Sequence, residues 1–458
     1  MGIYIDMKKK VLIMTSWYPL ESTEDPNYRS CGNFVADQAR ALAMEYDVAV
    51  LHVDSWYNPE KILLERDKAI TIFHHMNYIP SSVIWGDLNY HRSCLITFFR
   101  EIKILSELWG IPDLIHAHVV APVGWAGLLI GRLFRIPVIL TEHSAPFQMH
   151  LNTSEKILLV RSILKGVDRV IAVSPYLADQ IRAVEPDLSI DVLGNVVNPE
   201  FFKDGDSTWQ KETSPSIIRF LTVGISPLNR KGIPTLLKAT QMLKSGGEER
   251  FEILIGGGGT SLPELTKLAA HLGIKDRCRF LGGLSREETR RWMHASDVFV
   301  LPSLTETFSV VTAEALACGK PVIITRCGGP EYFVNEENGI QVAVDDPSDM
   351  ANAMRDYIQG KYKFNSQNIR QGITNLFAPE AYLRNASTIY NQVWESRLFS
   401  NSTMYDSCNN NSVVLVSLFN TDDEILLRYQ VKWNRILFFL SATILLLVVI
   451  SIIILYFK

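Results

Sequence analysis

The sequence predicts an α/β protein made of two doubly wound, Rossmann-like domains followed by a transmembrane helix. Three observations predict it. Short apolar runs alternate with helical patterns through most of the chain. A turn-rich crossover, Leu193-Gly-Asn-Val-Val-Asn-Pro-Glu200, separates two sets of such runs. Near the C-terminus, residues 436–457 form a stretch of 22 positions without a charge.

In the first half, strands are expected at 11–15, 48–52, 114–117, 138–141, 170–173 and 190–193. In the second they are expected at 217–223, 251–255, 278–281, 298–301, 322–325 and 339–342. Their near-continuous apolar character suits parallel strands covered by helices on both faces. The expected boundaries are 1–198 for the first domain, 199–396 for the second, 397–432 for a polar linker and 433–458 for the tail. The tail is long enough to cross the ~30 Å hydrocarbon core. Lys432, Trp433 and Arg435 flank it as interfacial anchors would. The competing reading is a buried core helix.

The N-terminus does not read as a signal peptide: Lys8-Lys-Lys10 precede an apolar run far shorter than an h-region. The globular part is therefore expected on the cytosolic side of a membrane, held by the single C-terminal span. The sequons at Asn152 and Asn401 then read as chance matches.

A formal charge of −4 and a pI near 6.2 argue against a general nucleic-acid binder. Cys31, Cys94, Cys278, Cys318, Cys327 and Cys408 are scattered without CxxC spacing. That argues against a zinc knuckle or a disulfide framework.

The most informative stretch begins with the apolar run Asp297-Val-Phe-Val-Leu-Pro302. It continues through Glu306-Thr-Phe-Ser-Val-Val-Thr-Ala-Glu314 to Leu316-Ala-Cys-Gly-Lys-Pro321. It reads as strand, loop carrying Glu306, helix carrying Glu314, then a second strand. Ligands of doubly wound sheets bind at the carboxyl ends of strands, which is where Glu306 falls. A helix starting near Phe308 would aim backbone amides at an anion. At ~1.5 Å per residue, Glu314 would lie roughly two turns deeper. Carboxylates beside an anion site suit recognition of hydroxyl donors such as sugars and ribose.

The pattern resembles the Glu-x7-Glu signature of retaining GT-B glycosyltransferases of family 4, the glycosyl transferases group 1. The later Gly328-Gly-Pro-Glu331 strengthens it. The resemblance covers roughly residues 10–396 and implies the GT-B fold, two Rossmann-like domains facing a cleft. It also implies that Glu314 holds the nucleotide's ribose and that Glu306 contacts the donor sugar. Backbone amides between them, at Phe308, Ser309 and Val310, would bind phosphate and sugar. The helical stretch 380–394 resembles the family's closing helix, which packs back on the first domain.

Gly224 is a candidate donor-binding residue, and the stretch Gly224-Ile-Ser-Pro-Leu-Asn-Arg-Lys-Gly232 follows the strand 217–223. Its two cations suit a diphosphate, Arg by a fork and Lys as a point charge. The resemblance gives that basic pair the leaving diphosphate. Gly256-Gly-Gly-Gly259 is not a P-loop, since no Gly-Lys-Ser/Thr follows. Gly257 either lines the nucleotide cleft or belongs to a flexible strand-to-helix loop. Leu284 matches a position where the family's backbone meets the base. Gly32, after the first strand, resembles the family's loop facing diphosphate and acceptor, although Cys31 stands where many members have a second glycine.

His143 matches the histidine that contacts the donor sugar. His118 lies near the cleft in many relatives and is equally readable as structural. His116, His118 and His143 are of the right type for metal ligation, but nothing in the sequence makes them converge. Asp204-Gly-Asp206 fits a short metal pattern yet lies away from strand ends and reads as a turn, so no metal or other cofactor is expected.

These features imply a retaining glycosyltransferase that uses a nucleotide-sugar donor in cell-surface polysaccharide or glycolipid synthesis. The acceptor would be lipid-linked or a saccharide, and no nucleic acid is expected as a partner. A nucleotide-sugar 2-epimerase and a membrane-tethered sugar-nucleotide-binding protein are the alternatives.

Overall fold

The computed structural model describes residues 8–19, 32–56, 61–78, 87–203, 217–224 and 230–400. Asp204, Asp206 and the tail 436–457 lie outside the described residues, as does Cys31. Among the described residues no helix is long and apolar enough to cross a membrane.

The chain forms two sheets. The first has eight strands: β1 (Lys10–Thr15), β2 (Asp47–Trp56), β3 (Lys61–Asp67), β4 (Ile70–Tyr78), β5 (Leu114–His118), β6 (Val138–Glu142), β7 (Arg169–Ala172) and β8 (Ile190–Val192). Their order is β3-β4-β2-β1-β5-β6-β7-β8. All pairs are parallel except β3 with β4. That hairpin is absent from the sequence expectation. Ile62 and Leu64 on β3 are 50% and 55% exposed, so this edge strand never presents the continuous apolar run that marks its neighbours.

The second sheet contains β9 (Ile218–Val223), β10 (Phe251–Gly256), β11 (Cys278–Gly282), β12 (Val298–Leu301), β13 (Val322–Thr325) and β14 (Gly339–Val342). It is fully parallel, in the order β11-β10-β9-β12-β13-β14. The chain order reverses between β9 and β12. In such a sheet the crevice beyond the carboxyl ends of those two strands is where ligands bind.

Each sheet has its own apolar core. Phe220, Leu236, Ile253, Val300, Ile323 and Met354 belong to the second. The first joins Val11, Ile13, Val35, Leu42 and Val50 to the last described helix: Tyr382, Ala386, Ile389, Tyr390 and Val393 of Pro379–Ser400 pack into it. The buried hydroxyls in this seam are partnered. Tyr46 donates to Ser387 Oγ at 2.8 Å and Tyr382 to Gln38 Oε1 at 3.1 Å. An unpaired buried hydroxyl would cost ~1–3 kcal/mol, so the pairing matters to this seam.

Candidate active site

The loops at the carboxyl ends of both sheets meet, and most of the residues singled out by the sequence lie there. β9 ends at Val223. Gly224 follows at φ 113°, its amide donating to Gly256 O at 2.8 Å, and Gly257 donates to Gly282 O at 2.7 Å. Three adjacent strands thus end in glycines with backbone near the surface of the crevice. A Cβ on Gly256 would lie 2.6 Å from Leu284 Cδ1, which shows how closely the Leu284 loop covers this edge. On its other side that loop borders a cavity of about 350 Å³ lined by Arg279, Leu284 and Trp292 among others.

Lys231 and Glu306 meet at the reversal point. Lys231 Nζ lies 2.7 Å from Glu306 Oε1, and Ser303 Oγ donates to the same oxygen at 2.7 Å. Glu306 is 7% exposed overall. The backbone fixes both partners: Leu304 N donates to Arg230 O at 2.7 Å, and Glu306 N and O pair with Cys327 O and Gly329 N at 2.9 and 2.8 Å. Gly232 is required here. Its φ is 62°, and a Cβ would fall 1.8 Å from Pro302 O. Arg230 Nε is buried without a hydrogen-bond partner among the described residues.

The helix after Glu306 runs from Val310 to Ala317, so it begins two residues later than the sequence suggests. Phe308 is not helical; its ring is buried against Phe333 and Phe377, each with centroids 5.1 Å away, leaving only its backbone for a ligand. Ser309 sits at φ 66° and provides no side-chain cap, its Oγ pairing with Thr312 Oγ1 at 2.8 Å. Thr312 N turns back on Ser309 O at 3.1 Å, and the two amides before it, Val310 and Val311, are left without an intrahelical acceptor. A non-glycine residue held at positive φ beside such amides marks a site where surrounding structure imposes the backbone. Glu314 consequently lies about one turn into the helix rather than two. Burial pushes its carboxyl up to about 7, with Asp37 adding to the rise and Arg286 opposing it.

From the first sheet, His143 follows β6. The Glu142 carboxylate accepts from the amides of Val120, His143 and Ser144 at 2.7, 2.8 and 2.7 Å, and so holds the histidine loop. Burial holds the His143 imidazole down at about 3, so it is neutral at pH 7. His118 Nδ1 is 2.9 Å from His143 Nε2. His116 instead pairs with Tyr390 and Thr141, at 2.7 and 2.6 Å. The three rings stack in a row rather than converging on a point, and no metal-holding group of side chains is found among the described residues. Gly32 caps the helix Asn33–Leu42 at φ 76°, packed so tightly on Trp17 that a Cβ would be 2.3 Å from its carbonyl.

The two halves touch at the backbone of His143 and through Ser174, Thr307, Asp37 and Arg286, four residues assigned no role from the sequence. Thr307 Oγ1 donates to His143 O at 2.8 Å, and Ser174 Oγ to Thr307 O at 2.5 Å. Arg286 reaches Asp37 with two bonds, Nη1–Oδ1 at 3.2 Å and Nη2–Oδ2 at 2.5 Å. No local signature announces these contacts, since each joins positions more than a hundred apart.

A family profile described as Glycosyltransferase Family 4 matches residues 31–201, and one described as Glycosyl transferases group 1 matches residues 218–360. The chain belongs to this glycosyltransferase family. It is 29% identical over 274 residues to an uncharacterised glycosyltransferase of Methanocaldococcus jannaschii, spanning 59% of this chain and 72% of that protein. It is 30% identical over 269 residues to D-inositol 3-phosphate glycosyltransferase of Streptomyces bingchenggensis, spanning 53% and 58%. Among solved structures it is similar to sucrose-phosphate synthase of Thermosynechococcus elongatus, with a TM-score of 0.70 at 22% identity over 85% of this chain and all of that one. It is also similar to the Anabaena protein HepE in complex with UDP-glucose, with a TM-score of 0.60 at 18% identity, covering 84% and 99%. These structures establish the GT-B-like fold.

Proposed function

We propose that the protein is a retaining glycosyltransferase that moves a sugar from a nucleoside-diphosphate sugar to an acceptor hydroxyl. The observation that carries this reading is the Lys231–Glu306 pair at the reversal point of the second sheet, facing the uncapped start of the helix Val310–Ala317. Relatives of this chain carry the name glycosyltransferase, and a neighbour in fold was solved with UDP-glucose.

In this reading the diphosphate lies between Arg230, Lys231 and the amides of Ser309 and Val310, with Gly224, Gly257 and Leu284 along the nucleotide and Gly32 above the phosphates. Glu314 accepts hydrogen bonds from the ribose, and Glu306 and neutral His143 orient the sugar. The bond from the anomeric carbon to the diphosphate breaks, and the acceptor oxygen bonds to that carbon on the same face. The acceptor proton passes to the departing phosphate oxygen. The two cations and the helix amides neutralise the developing charge. The contacts through Thr307 and Ser174 hold the halves together over the reacting atoms and exclude water.

A panel of nucleoside-diphosphate sugars and acceptors tests the reading. Acceptor-dependent release of nucleoside diphosphate, with the donor's anomeric configuration kept in the product by NMR, is expected. An epimerised sugar nucleotide without transfer would instead make the protein an isomerase. Binding without turnover would make it a sugar-nucleotide receptor.

We further propose that residues 436–457 tether the enzyme to a membrane carrying a lipid-linked acceptor, in polysaccharide or glycolipid synthesis. Tethering raises the effective concentration of enzyme at a two-dimensional substrate. A chain ending at residue 400 is expected to stay folded and keep its rate on a short water-soluble acceptor while losing rate on acceptor in vesicles. Full-length protein found in the soluble fraction without detergent would overturn the tether.

A further inference from the structure

Arg286 occupies a position that neither its own helix nor surface solvation explains. It opens the helix Arg286–Ala295 just after the Leu284 loop, and its side chain turns into the crevice. Nη1 and Nη2 form a fork on Asp37 of the helix Asn33–Leu42, which belongs to the other sheet. The guanidinium lies over the rings of Phe201 and Phe202, 4.7 and 5.7 Å from their centroids. Asp37 is itself steadied by Arg40 at 3.0 Å, and Arg40 by Asp67 at 2.6 Å. Two parallel bonds and a stacked face fix the plane of the fork.

One donor of that fixed group is unused. Arg286 Nε is buried with no hydrogen-bond partner among the described residues, and it lies 3.7 Å from Glu314 Oε1. That is too long for a hydrogen bond and short enough for strong attraction at a site of low polarity. Glu314 needs such a neighbour, because burial opposes its ionisation. A neutral carboxyl is a poorer acceptor for a diol than a carboxylate.

We propose that Arg286 is a positioning residue for the donor nucleotide: gripped by Asp37 from across the crevice, it draws the Glu314 carboxylate into place and turns it toward the vicinal hydroxyls of the ribose. This rests on the donor-site reading above and adds a consequence. Asp37, which belongs to the opposite sheet, acts on ribose recognition chiefly by fixing Arg286, so nucleotide affinity depends on the approach of the two halves.

The test is titration calorimetry on the full chain with UDP, ADP and GDP, with the 2′,3′-dideoxy form of whichever binds best, and with inorganic pyrophosphate. Arg286→Gln and Asp37→Asn are each expected to weaken the ribonucleotide at least fivefold and to leave pyrophosphate unchanged. The double variant should be no weaker than Arg286→Gln alone. In wild type, loss of the ribose hydroxyls should cost at least fivefold, and in both variants almost nothing. Should Arg286→Gln not fold, Asp37→Asn carries the same comparison. The proposal is overturned if the folded variants discriminate against the dideoxy nucleotide as strongly as wild type does. If Glu314→Gln also keeps full discrimination, or no diphosphate binds wild type, the donor-site reading itself fails.

Discussion

Lys231→Ala should lower kcat by about 10²–10³-fold, the cost typical of removing one preorganised group that meets developing negative charge. Lys231 Nζ stands 2.7 Å from Glu306, at the end of β9 where the strand order reverses. A leaving diphosphate there gains charge as the sugar bond breaks. The effect should fall mainly on kcat, because the interaction strengthens as the transition state forms. Part of the loss would come from Glu306, whose buried carboxylate keeps only the Ser303 hydroxyl of the partners at that oxygen. Glu306→Gln separates the two: it removes the charge, retains Lys231, and should also depress turnover more than donor KM. Chelators should leave wild-type activity unchanged, since the reading assigns charge neutralisation to Arg230, Lys231 and amides. Steady-state release of nucleoside diphosphate checks all of this. A Lys231→Ala enzyme within threefold of wild type would remove the basic pair from the mechanism.

Glu314→Gln is expected to raise donor KM well over tenfold with a smaller change in kcat. A hydrogen bond to a charged group contributes ~1.5–3 kcal/mol, and each ~1.4 kcal/mol is a factor of ten. The carboxyl is pushed up to about 7 by burial, with Arg286 and Asp37 the charged groups facing it. It is therefore increasingly protonated below pH 7 and ionised above. Donor KM in wild type should fall as pH rises through about 7, and in Glu314→Gln that limb should vanish. The same shift acts on stability with the opposite sense. A raised acid pKa means the folded state holds a proton the unfolded chain has released, so this group's contribution to stability declines as pH climbs from its usual value near 4.5 toward 7.

Much of the fold is written locally. Strands β1, β12 and β13 are buried on both faces and carry continuous apolar runs, Val11–Met14, Val298–Leu301 and Val322–Ile324, bounded by turn residues. Where that physics fails, so does the reading. β3 lies at an edge with half-exposed leucine and isoleucine, and β4 carries the buried His74 and His75, which no apolar count detects. The helix after Glu306 is displaced by two residues because Ser309 is held at positive φ, a backbone state set by its surroundings.

The candidate site divides the same way. Lys231, Glu306 and Ser309 sit on two short loops and Glu314 on the helix that follows, in stretches whose composition betrays them. Asp37 and Arg286 are ordinary helix-surface charges in sequence, and only the approach of two sheets makes them partners across 249 positions. Each follows closely on a position the sequence marks, Gly32 for Asp37 and Leu284 for Arg286. His118 illustrates the reverse case. Its neighbourhood with His143 is real, yet the imidazoles stack in series with Tyr390 behind them and do not gather around a point.

The central claim is that the crevice beyond β9 and β12 takes a nucleoside-diphosphate sugar. The most direct measurement is the structure of the full chain with the nucleoside diphosphate selected by the donor panel. The account predicts phosphate oxygens within hydrogen-bonding distance of Lys231 Nζ and of the Ser309 and Val310 amides, with the ribose hydroxyls on Glu314. A diphosphate bound away from Lys231, or a ribose that leaves Glu314 untouched, would contradict it.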